Sequence, residues 1–304
     1  MTGSTVTITA GGYTAAIGLR GGQLLSLTNT NPYSGTPQNL IVPADRVEDS
    51  AFAGAVLAPW PNRIAKASYT FGDTTYELTP NEESTESAIH GLFYAVDFEI
   101  QSQRDSEVHL HGVLEPSEGY PFRLEAALVY RVGAGLGLTA SLSVRYRPLE
   151  EDAAAAAPFG AGFHPYLTAG DAPLKACRLK LPAATVAKTK PNGQVTNRGP
   201  VTGDFDLTDS PLLAGLSIDH AYTDLPEEGW SAELLHGPSG LMVRMISDTP
   251  WAQVYTGENV GRSGVAVEPM TCPPNAFNSG ENLVELTPEG GWHRVGYSIE
   301  AFRL

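Results

Sequence analysis

The chain has 304 residues, 42% hydrophobic and 17% charged, with 19 Lys and Arg against 34 Asp and Glu for a formal net charge of −15. That length and composition support a sizeable core without disulfide or metal staples. The negative field repels nucleic-acid backbones and anionic membrane surfaces, which leaves small molecules as the expected partners.

Two cysteines, Cys177 and Cys272, lie far apart with no CxxC spacing. They cannot form a disulfide framework, a cysteine zinc site or an iron–sulfur cluster. The first residues carry neither a basic n-region nor an apolar h-region, and no run of about 18 apolar residues occurs. A soluble, cytoplasmic protein, monomer or homodimer, is the expectation.

Taken in chain order, the dominant rhythm is period two. Val6–Thr9, Tyr13–Leu19 and Gln23–Leu27 read as short strands separated by Gly-Gly or Thr/Asn turns. The segment from Ala58 to Ile64 holds two prolines, which remove ladder donors, and so reads as a rigid loop presenting Asn62 and Arg63. Arg63 there either grips a ligand or pairs with a surface carboxylate. His90 precedes Gly91, a place where backbone can approach a ligand closely, although an ordinary loop histidine fits as well.

Asp97–Ser102 and Val108–Leu114 read as neighbouring strands, with His109 and His111 on one face as a solvated pair or, less simply, a metal-binding pair. Arg123–Val132 and Gly137–Arg147 form a hairpin around the Gly133–Gly135 break. The acidic and alanine-rich stretch from Glu150 to Pro158 reads as an exposed loop. Pro165 then restricts His164 to an extended conformation between Phe163 and Tyr166, where its pKa can be moved. In extended chain Asp219 and His220 point to opposite sides, so one of them at most faces a given ligand.

Ala232–His236, Leu241–Ile246, Ala252–Tyr255, Val265–Glu268 and Arg294–Phe302 complete the strands. This density, without a long amphipathic helix, predicts an all-β sandwich. Equal strand character on both sides of residues 150–158 predicts a single domain over 1–304. Glu268 ends an apolar strand just before a proline; a buried glutamate requires a salt bridge or a role as general base. Cys272 reads as a buried inert thiol. No Walker A, G-x-S-x-G or H-E-x-x-H pattern is present, and Gly133–Gly137 lacks dinucleotide-loop spacing.

Five motifs in this order resemble the aldose 1-epimerases, or galactose mutarotases: Pro61-Asn62-Arg63-Ile64, Ile89-His90-Gly91-Leu92, Phe163-His164-Pro165-Tyr166-Leu167, Ile218-Asp219-His220-Ala221-Tyr222, and Val267-Glu268-Pro269 with Pro274-Asn275-Ala276-Phe277-Asn278. The match spans about residues 58 to 278 and is most similar to the divergent bacterial branch. The resemblance implies a large twisted β-sandwich of the galactose mutarotase-like supersandwich type, with a monosaccharide in a cleft across one sheet. It implies interconversion of α and β anomers of a free aldose without cofactor or metal. Glu268 would take the proton from the anomeric hydroxyl, His164 would protonate the ring oxygen, and His90 would stabilise charge near the reacting centre. Arg63, Asp219 and Asn62 would hold ring hydroxyls, and Trp60, Phe93 and Tyr166 are candidates for an aromatic face under the sugar.

The His90-Gly91 pair is followed by Leu92-Phe93 and not by a further glycine, so that loop's family contacts do not carry over; the expected substrate is a free aldose such as glucose or galactose, with the physiological sugar left open. The alternatives are a non-catalytic carbohydrate-binding β-sandwich, and an epimerase of a phosphorylated or sulfonated hexose, for which Lys66 and Arg46 are the nearest spare cations. A glycoside hydrolase using Glu268 and Asp219 is a third reading.

Overall fold

The protein was analysed as a computed structural model, which describes residues 4–31, 34–149, 155–190 and 194–304. Alternation of buried and partly exposed positions is regular along Glu107–Leu114, Leu124–Gly133 and Gly137–Tyr146, the pattern of strands with one face on a core. They lie in an antiparallel sheet of eight strands. Its order is Glu99–Arg104, Glu107–Leu114, Leu124–Gly133, Gly137–Tyr146, His293–Arg303, Leu241–Ser247, Trp230–His236 and Cys177–Lys180.

A second eight-stranded sheet runs Val195–Pro200, Thr185–Thr189, Asp219–Thr223, Trp251–Tyr255, Val265–Met270, Gly162–Phe163 and Val56–Leu57, with Tyr166–Leu167 also paired to Val265–Met270. A four-stranded sheet from Thr5–Ala10 to Pro37–Asn39 packs on the first large sheet. One apolar cluster extends through these sheets from Val6 to Ile299. Each large apolar side chain fully buried in it contributes about 1.5–3 kcal/mol. Three of its buried tyrosines are satisfied through their hydroxyls: Tyr69 donates to Gly119 O, Tyr120 to Pro158 O and Tyr130 to Gly22 O. Among the described residues the one α-helix is Ala276–Ser279, and no helix is long and apolar enough to cross a membrane.

The all-β reading holds, and each strand read from alternation is present within three residues at its ends, the largest difference being Gln23–Leu27, observed as Leu24–Thr30. Three expectations are corrected. Trp60 is buried against Phe277 and Tyr120 and donates Nε1–H to Ala88 O, so it supports the Asn62–Arg63 loop from beneath. Phe93 is likewise buried, against Phe98. Of the stretch expected to be an exposed loop, residues 150–154 lie outside the described residues, but Ala157–Phe159 is a buried strand paired with Val284–Leu286.

Candidate active site

Val265–Met270 is buried at all six positions because it is central in its sheet and covered on both faces. A carboxylate on it has no route to bulk water except through a cavity. Glu268 lines such a cavity, of about 380 Å³, together with Phe52, Asn62, Arg63, Asn81, Glu82, His90, His164, Tyr166, Asp219, Tyr255 and Asn259. All seven residues expected from sequence to form the site are therefore brought together.

Each is held by backbone pairing. The His164 main chain is fastened on both sides, its N–H donating to Ala55 O at 3.0 Å and its carbonyl accepting from Gly54 at 2.8 Å. Its ring stacks on Tyr166, with centroids 4.9 Å apart, and meets the His90 ring edge-on at 5.0 Å. Its Nε2 stands 3.4 Å from Glu268 Oε1. Tyr166 donates its hydroxyl to Ala51 O. His90 follows the two-residue pairing of Arg63–Ile64 with Ala88–Ile89 and donates its backbone N–H to Asn62 O at 2.8 Å. From the far side, Asn275 N–H donates to Arg63 O and its side-chain Oδ1 accepts from Ala65 N–H, while Asn278 Nδ2 donates to Ser68 O.

The glycines act differently from expectation. A Cβ on Gly91 would sit 2.1 Å from the Ala58 carbonyl oxygen, and on Gly160 2.4 Å from Cys272 Sγ. Close approach is needed, but by the protein's own chain and side chains. Asp219 faces the cavity, whereas His220 packs on Phe205 and accepts from Thr189 N–H through Nδ1; the two do point apart. His109 and His111 bond to Glu107 and Glu125 across the strand face. Burial pushes the Cys272 thiol up to about 12, an inert form.

Burial pushes the Glu268 carboxyl well above the usual carboxylate range; Asp219 adds to this and Arg63 opposes it. Burial pulls His164 down to about 4, against a backbone hydrogen bond that raises it, with Arg63 also lowering it. His90 is lowered by burial and then by His164 and Arg63. Burial thus biases Glu268 toward its protonated form and both imidazoles toward neutrality.

Side-chain donor atoms of His90, His164 and Glu268 lie within 4.8 Å of one another. Metal sites usually anchor the outer nitrogen of each imidazole to an acceptor. Here Nδ1 of both histidines is buried without a partner among the described residues. The set lacks that support among the described residues. Glu268 Oε2, on the cavity wall, is also buried without a partner among the described residues, an acceptor that a ligand hydroxyl can meet.

Residues that sequence reasoning missed are Gln253, Glu82, Asn81, Phe52, Tyr255 and Asn259. Gln253 stands opposite Glu268 in the ladder and donates Nε2–H to Asp219 Oδ1 at 2.6 Å. A larger cavity, about 470 Å³, lies beside Arg46, Asp171, Lys175 and Arg262 and contains no acid–base pair. There Arg46 is paired with Asp171, and Arg262 with Glu258.

The family model described as aldose 1-epimerase matches residues 4–294. The chain belongs to the aldose 1-epimerase family. It is 37% identical to the Escherichia coli K12 protein YihR over 299 residues, 98% of this chain and 93% of that one. It is 24% identical to the galactose mutarotase of Mus musculus, over 69% of this chain and 64% of that one. Among solved structures, the GalM/aldose epimerase homologue from C. elegans superposes with a TM-score of 0.85 at 18% identity, covering 99% of each chain. Galactose 1-epimerase from Lactobacillus acidophilus NCFM gives 0.76 at 16%, covering 98% and 94%. The fold is that of the galactose mutarotase-like β-sandwiches.

Proposed function

We propose that the protein is a cofactor-independent aldose 1-epimerase that interconverts the anomers of a free, neutral aldose. The observation that carries the reading is the buried Glu268–His164 pair, 3.4 Å apart on the wall of a sugar-sized cavity. In the reactive complex Glu268 is the carboxylate and His164 the imidazolium, one proton transfer away from the resting pair. Glu268 takes the proton from the anomeric hydroxyl, and the O1 electrons form the C1=O1 bond. The C1–O5 bond breaks with its electron pair going to O5, which takes the proton from His164. Opening thus ends on protonated Glu268 and neutral His164, the state that burial favours, so the site stabilises the open aldehyde step. Rotation about C1–C2 and closure with the roles reversed give the other anomer. Each positioned transfer accounts for roughly 10²–10⁴-fold in rate.

The polar lining supports a neutral substrate. Arg63 is the cation among the described lining residues and it is already bonded to Glu82, while Asp219 and Glu268 add carboxylates. Lys66 and Arg46, the cations considered for a phosphate or sulfonate, are absent from this lining. A plain sugar-binding module has no use for a buried acid–base pair, and of the two carboxylates a hydrolase would use, Asp219 is engaged by Gln253 while His164 is the group that stands beside Glu268.

Polarimetry of freshly dissolved α-D-glucose and α-D-galactose, with and without protein, tests the reading. Acceleration over spontaneous mutarotation that disappears in Glu268→Gln is the expected result. Absence of acceleration with these sugars and with hexose 6-phosphates or sulfonated hexoses overturns it in favour of a binding module.

A further inference from the structure

We propose that Glu82 is a positioning residue for sugar recognition, acting through Arg63. This rests on the epimerase reading above and extends it to a residue outside the five sequence motifs. Glu82 Oε2 accepts from Arg63 Nε at 2.6 Å and Oε1 accepts from Nη2 at 2.8 Å, a two-bond clamp on one edge of the guanidinium. Thr85 Oγ1 also donates to Oε2. Both side chains are largely removed from solvent, at 15% and 23% exposure, and both line the cavity. Such a pair differs from a surface salt bridge, whose long side chains sample many geometries.

The carboxylate is itself fixed through its backbone. Glu82 and Ser87 exchange backbone hydrogen bonds, closing the Glu83–Thr85 turn. Next to it, Asn81 accepts from Ile89 N–H at 2.7 Å and donates to Ile89 O at 3.0 Å. The ten residues from Asn81 to His90 therefore form a closed strap: one end clamps Arg63, and the other delivers His90 in a left-handed conformation, φ 65°. With Nε and one hydrogen of Nη2 turned to Glu82, Nη1 and the second Nη2 hydrogen are left for sugar hydroxyls, Nη1 making among the described residues a long contact of 3.4 Å to Asn62 Oδ1. Glu82 also balances a charge that acts on His90, His164 and Glu268.

The test is a double-mutant cycle read as kcat and KM, with sugar affinity measured separately by calorimetry in the Glu268→Gln background. E82Q is expected to raise KM and weaken sugar binding by about tenfold, the scale of one charge-assisted hydrogen bond. In an R63M background E82Q is expected to change KM no further, because a residue acting through Arg63 has nothing left to act on. E82D, which keeps the charge and withdraws it by one methylene, should fall between and serves if E82Q does not fold. Additive effects of E82Q and R63M, or unchanged affinity in folded E82Q, overturn the proposal while leaving the epimerase reading intact. Wild-type protein that neither binds nor turns over any aldose overturns both.

Discussion

Gly91 is joined to Ala58 by a parallel bridge, and a Cβ placed on it would lie 2.1 Å from the Ala58 carbonyl oxygen. Gly91 also has φ +73°, a left-handed conformation that L side chains rarely adopt. Since Leu92 and Phe93 N–H both donate to that same oxygen, the contact fixes how the His90 loop meets the Asn62 loop. Gly91→Ala is expected to lose about 2 kcal/mol or more of stability from strain and the forced separation. Thermal unfolding followed beside polarimetry checks this; unchanged Tm with full activity would show that the loops part without consequence.

His164→Asn removes the imidazole while leaving the backbone clamp to Gly54 and Ala55 available. The expected effect is a fall in kcat of about two orders of magnitude or more, with sugar affinity little changed. Stopped-flow polarimetry at saturating sugar measures it, and a rate within a few-fold of wild type excludes His164 as the ring-oxygen acid.

Gln253→Leu keeps the buried volume near its original value but removes the N–H that Asp219 Oδ1 accepts. Asp219 then keeps its charge and loses its orientation. KM is expected to rise about tenfold, the scale of one hydrogen bond to a charged group. Titration of sugar into the protein, with kcat measured in parallel, separates this from a loss of chemistry.

The buried pair gives stability a pH dependence of two opposite signs. His164 titrates near 4 when folded and near its ordinary 6.5 when unfolded. Between those values the unfolded chain binds more protons, so stability is lost as pH falls from about 6.5 to about 4. Glu268 is raised when folded, from its ordinary 4.5. Above that value the unfolded chain releases its proton first, so stability is lost as pH rises toward the folded pKa. Glu268→Gln is therefore expected to raise Tm at neutral pH while abolishing turnover, the trade-off of a strained functional group. Melting curves from pH 4 to 8 for wild type, Glu268→Gln and His164→Asn test both signs; a Tm for Glu268→Gln below wild type at pH 7 contradicts the argument.

The sheet framework was readable because one-sided burial writes itself as alternation, as along Glu107–Leu114 and Leu124–Gly133. Glu268 was readable because a charge in an otherwise apolar strand stands out, and His164 because its flanking glycines, proline and aromatics do. Their assignment to a sugar came from resemblance. Gln253 was hidden since its importance depends on register, which sets it opposite Glu268 and within reach of Asp219. Glu82 was hidden among Glu83 and Glu86, which make the segment look solvated. Trp60 and Phe93 misled because a ring beside a site residue in sequence can equally well face the core beneath it.

Asn275 comes seven positions after Glu268 and binds Arg63 O and Ala65 N–H, tying the strand that carries the acid to the loop that carries the guanidinium. Those two walls cannot part from each other without breaking these bonds, so along this edge the cavity is a set mould. On the epimerase reading proposed above, either anomer would be received against the same preset edge. For a reaction whose substrate and product differ in one stereocentre, that indifference to direction is what an equilibrating catalyst requires.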